Sequence, residues 1–386
     1  MKHSVILRRV GTLLALVALA ACSNSDKSDP PAELVKFRAT AKVKQAWAAT
    51  LPGGKPSLRL GLGVAVEGDT IFAAGHGGDV AAFNVSNGKR RWRTDTKLPL
   101  TGGPGVGGGI VVAGASHGDF IALDAATGKE RWRAHINSEI LSAPAISDKY
   151  VLLRTVDGRL SAFKVADGTV LWSTEQQVPR LSLRGAAAPA LDGEFGVSGF
   201  DTGRVLAVAM NNGTTLWDVL VAPPSGRSEL ERLVDIDAAV KVVENDIYAV
   251  TYQGKVARID RDTGQVQWSR DISSYSGLAT DEDGVYVTAS DGTVVKIGRR
   301  TGVEMWKTEQ LSNRRLSPPA VLGKLVVVAD LEGYVHFLDA GTGAFAARVK
   351  SAGHRVTAAP VVSGDTVVMI DNGGRMTALR VATPGQ

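Results

Sequence analysis

Asp124-Ala125-Ala126-Thr127-Gly128-Lys129-Glu130-Arg131-Trp132 has the form D-x-x-T-G-x-x-x-W, and the chain is organised around copies of it. Asp260, Thr263, Gly264 and Trp268 make a second close copy. Looser copies run over 84–92, 164–172, 209–217 and 298–306, and in each the Trp lies four residues after the Gly. The chain has seven Trp, and six of them sit in this frame, which random placement would not produce. The motif reads as a turn followed by a strand. Asp or Asn bonds its own backbone two residues on, and Gly supplies a positive φ without steric cost. After Gly264, Val266 and Trp268 share one face and Gln265 and Gln267 the other, the period of a half-buried strand. One large flat Trp per repeat predicts a plate packed between successive units.

Outward from each copy, the same unit recurs. A nearly continuous apolar strand comes first, as at Ile110-Val111-Val112, Val151-Leu152-Leu153 or Leu325-Val326-Val327. A turn with Gly and a second strand follow, as at Gly158, Gly203, Gly254, Gly333 and Gly374, and then the Trp strand. Runs of this kind suit strands buried on both faces. The Trp at 47, 92, 132, 172, 217, 268 and 306 are spaced by 45, 40, 40, 45, 51 and 38 residues, and a further step of 41 lands on Ala347, an eighth frame without its Trp. A period near 40 with four short strands per unit is the signature of a β-propeller. The strand around Trp47 has no turn motif before it, and the repeat at 361–381 has no Trp strand after it. Each end supplies what the other lacks. The expected fold is therefore all-β, an eight-bladed propeller of four-stranded antiparallel blades closed by the N-terminal strand, which leaves no open seam.

Ahead of the repeats, residues 1–21 read as a lipoprotein signal peptide. Lys2, Arg8 and Arg9 precede an apolar run at 10–21 that is too short to span a bilayer. It ends in Leu19-Ala20-Ala21-Cys22, similar to a bacterial lipobox, in which the Cys is lipidated and becomes the first mature residue. Cys22 is the only Cys of the 386 residues, so no intrachain disulfide or Cys-based metal site is available to the mature chain. Ser23 after the Cys favours the outer membrane over inner-membrane retention. Residues 22–40, polar and with a Pro pair, are expected to form the lipidated Cys and a flexible tether, and 41–386 the propeller. The formal charge is +5 and falls to +2 without the three basic leader residues, so it carries no inference of nucleic-acid binding.

No G-x-S-x-G, H-E-x-x-H or Walker motif occurs. The Gly-rich run 102–109 lies before a strand with no helix pattern after it, and reads as an inter-blade loop rather than a phosphate cradle. His76 and His117 stand before turn glycines and read as turn residues. Asp235 and Asp237 could hold a cation, but no further ligands cluster beside them in sequence. The expectation is no cofactor, no metal and no catalytic residue.

Two stretches break the period, 176–187 and 222–240, and long loops on a rigid repeat scaffold are where partners usually bind. The repeat resembles that of the pyrroloquinoline quinone enzymes, which are larger and carry a calcium site. With the lipobox and eight blades it is more similar to the BamB family of outer-membrane assembly lipoproteins. Leu181-Ser182-Leu183-Arg184-Gly185 resembles that family's L-S-L-R-G segment, and 228–237 resembles its S-T-E-x-x-R-L-x-D-x-D segment. The resemblance covers essentially the whole mature chain. It implies a non-catalytic scaffold of the outer-membrane β-barrel assembly (BAM) complex, on the periplasmic face, that binds the POTRA domains of BamA. Carried over by match, the contact residues are Leu181, Leu183, Arg184, Asp235 and Asp237. Whether unfolded outer-membrane proteins are bound directly stays open. The alternatives are a propeller lipoprotein that binds sugar or peptide, and a quinone-dependent dehydrogenase. Asp235 and Asp237 could instead pair with Arg184 or Arg232 and simply hold the two loops.

Overall fold

The computed structural model describes residues 29–52, 61–183, 185, 187–351 and 353–382. Eight sheets, each an up-and-down meander, close into a ring. Blades 1 to 7 span 64–95, 100–135, 145–175, 190–220, 241–271, 277–308 and 320–350, and blade 8 joins 361–381 to the N-terminal strand Val43–Thr50. That closing strand pairs antiparallel with Arg375–Val381, with Trp47 opposite Ala378.

The signature turns show why the motif has its residues. Asp124 Oδ1 accepts from the Thr127 amide at 2.9 Å and its hydroxyl at 2.8 Å, three residues on rather than two, and Oδ2 takes Arg131 at 2.7 Å. The Thr127 hydroxyl and then Arg131 hold the carboxyl down at about 2. Asp260 with Thr263 and Asp339 with Thr342 repeat the turn.

The Trp is indeed a plate, and its seat is the turn Gly of the next blade. A Cβ on Gly168 would stand 2.6 Å from the ring of Trp132, and its φ of 72° is one that side chains rarely adopt. The Trp132 indole N–H then donates to the Val165 carbonyl at 2.8 Å, again in the next blade. Trp47, Trp92, Trp172, Trp217, Trp268 and Trp306 make the same pair of contacts. The Gly and the Trp of one motif thus serve two different interfaces.

Ala347 is the exception for a topological reason. Its neighbour is blade 8, whose last strand comes from the N-terminus, so no signature turn exists there to receive a Trp. Ala41 and Val43 pack into the cluster around Ala347 instead.

Two expectations need correction. The Gly-rich run is a strand, Leu100–Gly107, not a loop. Its glycines let blade 3 approach: a Cβ on Gly105 would lie 2.1 Å from the Pro144 carbonyl oxygen, and one on Gly107 2.5 Å from that of Ile146. Its free edge carries a short parallel strand, Gly61–Leu62. The tether, expected to run free through residue 40, touches the propeller from Pro30 onward, where the Pro30 carbonyl accepts from Asn313 Nδ2 at 3.5 Å. Val35 and Phe37 are half-buried against blade 7, and the Ala32, Thr40 and Ala41 amides donate to carbonyls of Ser312 and Ala346.

Candidate functional site

The two irregular stretches are both connections from the outer strand of one blade to the first strand of the next. One links blades 3 and 4, the other blades 4 and 5. In an antiparallel meander these connections share a face with the middle hairpin turn of each blade. The exits confirm it: Gln176 N–H bonds Gly158 O and Val221 N–H bonds Gly203 O, both at 2.9 Å.

The second stretch is only partly a surface loop. Its end is mostly apolar, and Leu233, Val234, Ile236 and Ala238 are buried. Ile236 is the wedge, packing into the core of blades 4 and 5 beside Ala187 from the first stretch. A Cβ on Gly199 would stand 2.2 Å from its side chain, so only Gly allows this seat. The part left outside, 223–232, turns back on itself. The Ser228 hydroxyl accepts from the Glu231 amide, and Glu231 accepts from the Arg227 and Ser228 amides.

Asp235 follows this turn in the chain and is 0% exposed. Its carboxylate accepts the backbone N–H of Leu183, which ties the two stretches together. Burial pushes its pKa up to about 6, the Leu183 N–H pulls it back, nearby Asp201 raises it and Arg154 lowers it. Asp237 lies two residues on, half-buried, and a Cβ on Gly185 would come 2.4 Å from its carboxyl carbon. The L-S-L-R-G segment therefore rests on both carboxylates, and its Gly is required by one of them.

Deeper still is an ion pair that sequence reading passed over. Arg154, the last residue of the strand Tyr150–Arg154, is fully buried and reaches Asp201 of blade 4 at 2.5 Å. Its guanidinium also lies 4.8 Å from the centroid of the Phe200 ring. An Arg closing an otherwise apolar strand was the available signal.

What remains for a partner is the outer layer. Leu181 is 42% exposed, and Leu183 is half-buried. Leu230 at 63% and Val178 at 37% add two exposed apolar side chains that had not been singled out. The structure thus brings Leu181, Leu183, Asp235 and Asp237 together but puts Asp235 out of a partner's reach. Arg184 and Cys22 lie outside the described residues. Among the described residues no three His, Cys, Asp or Glu side chains gather as a metal set, and Asp235 is committed to the loop.

A carboxyl whose folded pKa is raised holds its proton more tightly when folded, so its contribution favours folding below about pH 4 and is lost as pH rises through 6. Asp235→Asn keeps an acceptor for Leu183 without the charge. The native protein should lose about 1.4 kcal/mol more than this variant between pH 5 and pH 7.5. Thermal melts of both at the two pH values decide it, and identical pH slopes would contradict the assignment.

The sequence profile described as "Outer membrane protein assembly factor BamB" matches residues 38–99, 76–308 and 308–384. A Pseudomonas aeruginosa protein of that name is 43% identical over 380 residues, which cover 98% of this chain and 99% of the relative. The chain belongs to the BamB family. The crystal structure of BamB from Moraxella catarrhalis superposes with a TM-score of 0.80 at 30% identity, covering 88% of this chain and all of that one. A quinohemoprotein alcohol dehydrogenase from Comamonas testosteroni matches with a TM-score of 0.68 at 14% identity, over 89% of this chain and 78% of its own, which shows a shared fold only. Membership of the BamB family makes the chain an outer-membrane protein assembly factor. The eight blades and their closure are thus the architecture of an assembly protein, and the two tied stretches are where this BamB-family chain departs from the repeat.

Proposed function

We propose that the chain is a non-catalytic scaffold of the BAM complex, held at the periplasmic face of the outer membrane by lipid on Cys22. In this reading it docks onto BamA POTRA domains through the apolar surface at Leu181 and Leu183, with Arg184 beside them. The observation that carries it is the rigid tie between the two stretches. Asp235 fixes the Leu183 backbone while Leu181 and Leu230 stay outside. A loop whose own apolar side chains are exposed, yet whose backbone is locked from below, is pre-organised for a partner, so little ordering entropy opposes binding. Asp235 and Asp237 act by holding this surface, which merges the two roles weighed for them.

Replacing Leu181 and Leu183 together by Ala should weaken binding to isolated POTRA domains by about 2–4 kcal/mol, since apolar anchors at an interface centre dominate affinity. Melting should change by less than about 1 kcal/mol, because neither side chain is in the core. Titration calorimetry alongside a melting curve reads both. Full affinity in a folded double variant removes the site. Fractionation of Cys22→Ser cells tests the anchor separately, and a native chain found wholly soluble would refute it.

A further inference from the structure

The segment between the lipidated Cys and the first strand was expected to be slack. Instead its described part, from residue 30 on, crosses blade 7 as a fitted strap. Ala32 is held through both of its backbone polar groups. Its N–H donates to Ser312 O at 2.9 Å, and its carbonyl accepts from Arg314 Nη1 at 2.8 Å. Arg314 is itself 3% exposed and paired with Asp330 at 2.7 Å and with Glu332. Further along, the Val35 carbonyl accepts from Arg348 Nη1 at 2.9 Å. The ring of Phe37 stacks on Phe345 at 5.2 Å, with the Arg348 guanidinium 5.0 Å from its centroid. Behind Arg348 stands buried His336, whose Nδ1 accepts from Arg348 Nε at 3.1 Å while Nε2 bonds Asp330 at 3.0 Å. Without the strap, buried Arg314 and half-buried Arg348 would each lose a carbonyl acceptor and have to be rehydrated. Blade 7 is therefore built to receive this strap.

Its direction matters. Ser312, Asn313 and Arg314 belong to the connection from blade 6 to blade 7, the same kind of connection as 176–187 and 222–240. Asn313 N–H bonds Asp291 O at 2.7 Å, in the middle hairpin turn of blade 6, so this connection lies on the same face as the other two. The strap thus starts on the face that carries Leu181 and Leu230 and ends at Val43 on the opposite face, where the closing strand begins. We infer that the strap delivers the lipid anchor to the loop-bearing face, so that this face looks toward the bilayer and the signature turns look away. The inference rests on the lipid-anchor reading. From Cys22 to Pro30 only eight residues remain, at most about 27 Å of extended chain. The surface around Leu181 is then confined close to the membrane, and whatever docks on it sits between propeller and bilayer.

The test uses the chain from Cys22 onward. Its single Cys is coupled to a maleimide lipid in neutral phosphatidylcholine vesicles, so the geometry is read whether or not cells acylate the protein. A fluorophore is placed through an azide-bearing residue at exposed Glu229 on the loop face or at exposed Asp262 in a signature turn, in two separate proteins. Energy transfer to a headgroup dye should be several-fold greater from 229 than from 262. A Val35→Ser/Phe37→Ser double variant releases the strap and should even out the two signals; its melting temperature should fall, while circular dichroism at the assay temperature should still show the folded propeller. Hydrogen exchange supplies the second arm: the Ala32 amide should be protected in the native chain and exchange freely in the variant. Equal or reversed transfer in the native chain overturns the inference, and so does a freely exchanging Ala32 amide. Fractionation of cells, by contrast, judges only the anchor.

Discussion

A chain that begins at Leu51 is expected to aggregate on expression or to melt far below the full-length protein. The deletion removes the outer strand of blade 8 and uncovers the whole edge of Arg375–Val381, now a row of unpaired backbone groups ready to pair with another chain. It also removes Trp47, 8% exposed, which stacks on Gly88 of blade 1 and donates to the Val85 carbonyl at 2.8 Å. Emptying one buried aromatic site costs about 3–5 kcal/mol by itself. The cluster that Trp47 shares with Ile71, Phe83, Val368 and Met376 would open along one side. The strap would go too, and with it the acceptors of Arg314 and Arg348. A synthetic 29–50 peptide added in trans should restore part of the melting temperature, rising with the logarithm of its concentration above Kd, because it binds only the folded ring. A truncated monomer that melts with the full-length protein would rule out closure by this strand.

The periodic part of this architecture is legible in the chain because a propeller repeats its solution. The spacing of the seven Trp reports blade count, and the unmatched ends report closure. What links one Trp to the Gly of the following copy is not legible, since both lie in the same nine-residue motif and nothing in their order says they serve different neighbours. The Gly-rich strand of blade 2 misleads for a related reason. Gly has weak strand preference, and its presence answers to the backbone of blade 3, which is distant in sequence. The strap escapes notice because its apolar residues, Leu34, Val35 and Phe37, make too short a run within a polar, Pro-containing segment to establish a period. At the site, the stretches that break the repeat mark themselves. The burial of Asp235 does not, because a carboxylate in a loop reads as solvated until its partner amide, 52 residues away, is placed beside it.

Arg154→Ala should be the costliest single substitution near the site, at about 3–5 kcal/mol, because it strands a buried carboxylate without its partner. Asp201 is 4% exposed and bonds the Arg154 guanidinium at 2.5 Å. The same cation also faces Asp235, whose pKa already stands at about 6 and would be driven higher without it. Two carboxyls would then share one dry pocket. Relief comes by taking a proton or admitting water, and either route loosens the seat of Leu183. The loss should therefore reach the surface: affinity for POTRA domains should fall although Arg154 itself is out of any partner's reach. A double change separates charge from packing. Arg154→Met with Asp201→Leu removes both charges at similar volume and should recover most of the stability, since a buried pair replaced by apolar side chains is often neutral. Chemical denaturation of the single and double variants reads the coupling between the two positions. If the single variant unfolds at the native midpoint, or the double costs the sum of its parts, the pair does not hold blades 3 and 4 together beneath the loops. If stability recovers in the double variant while affinity does not, the pair's contribution to the surface is the orientation it gives Asp235, and that carboxylate, rather than the ion pair, sets the position of Leu183.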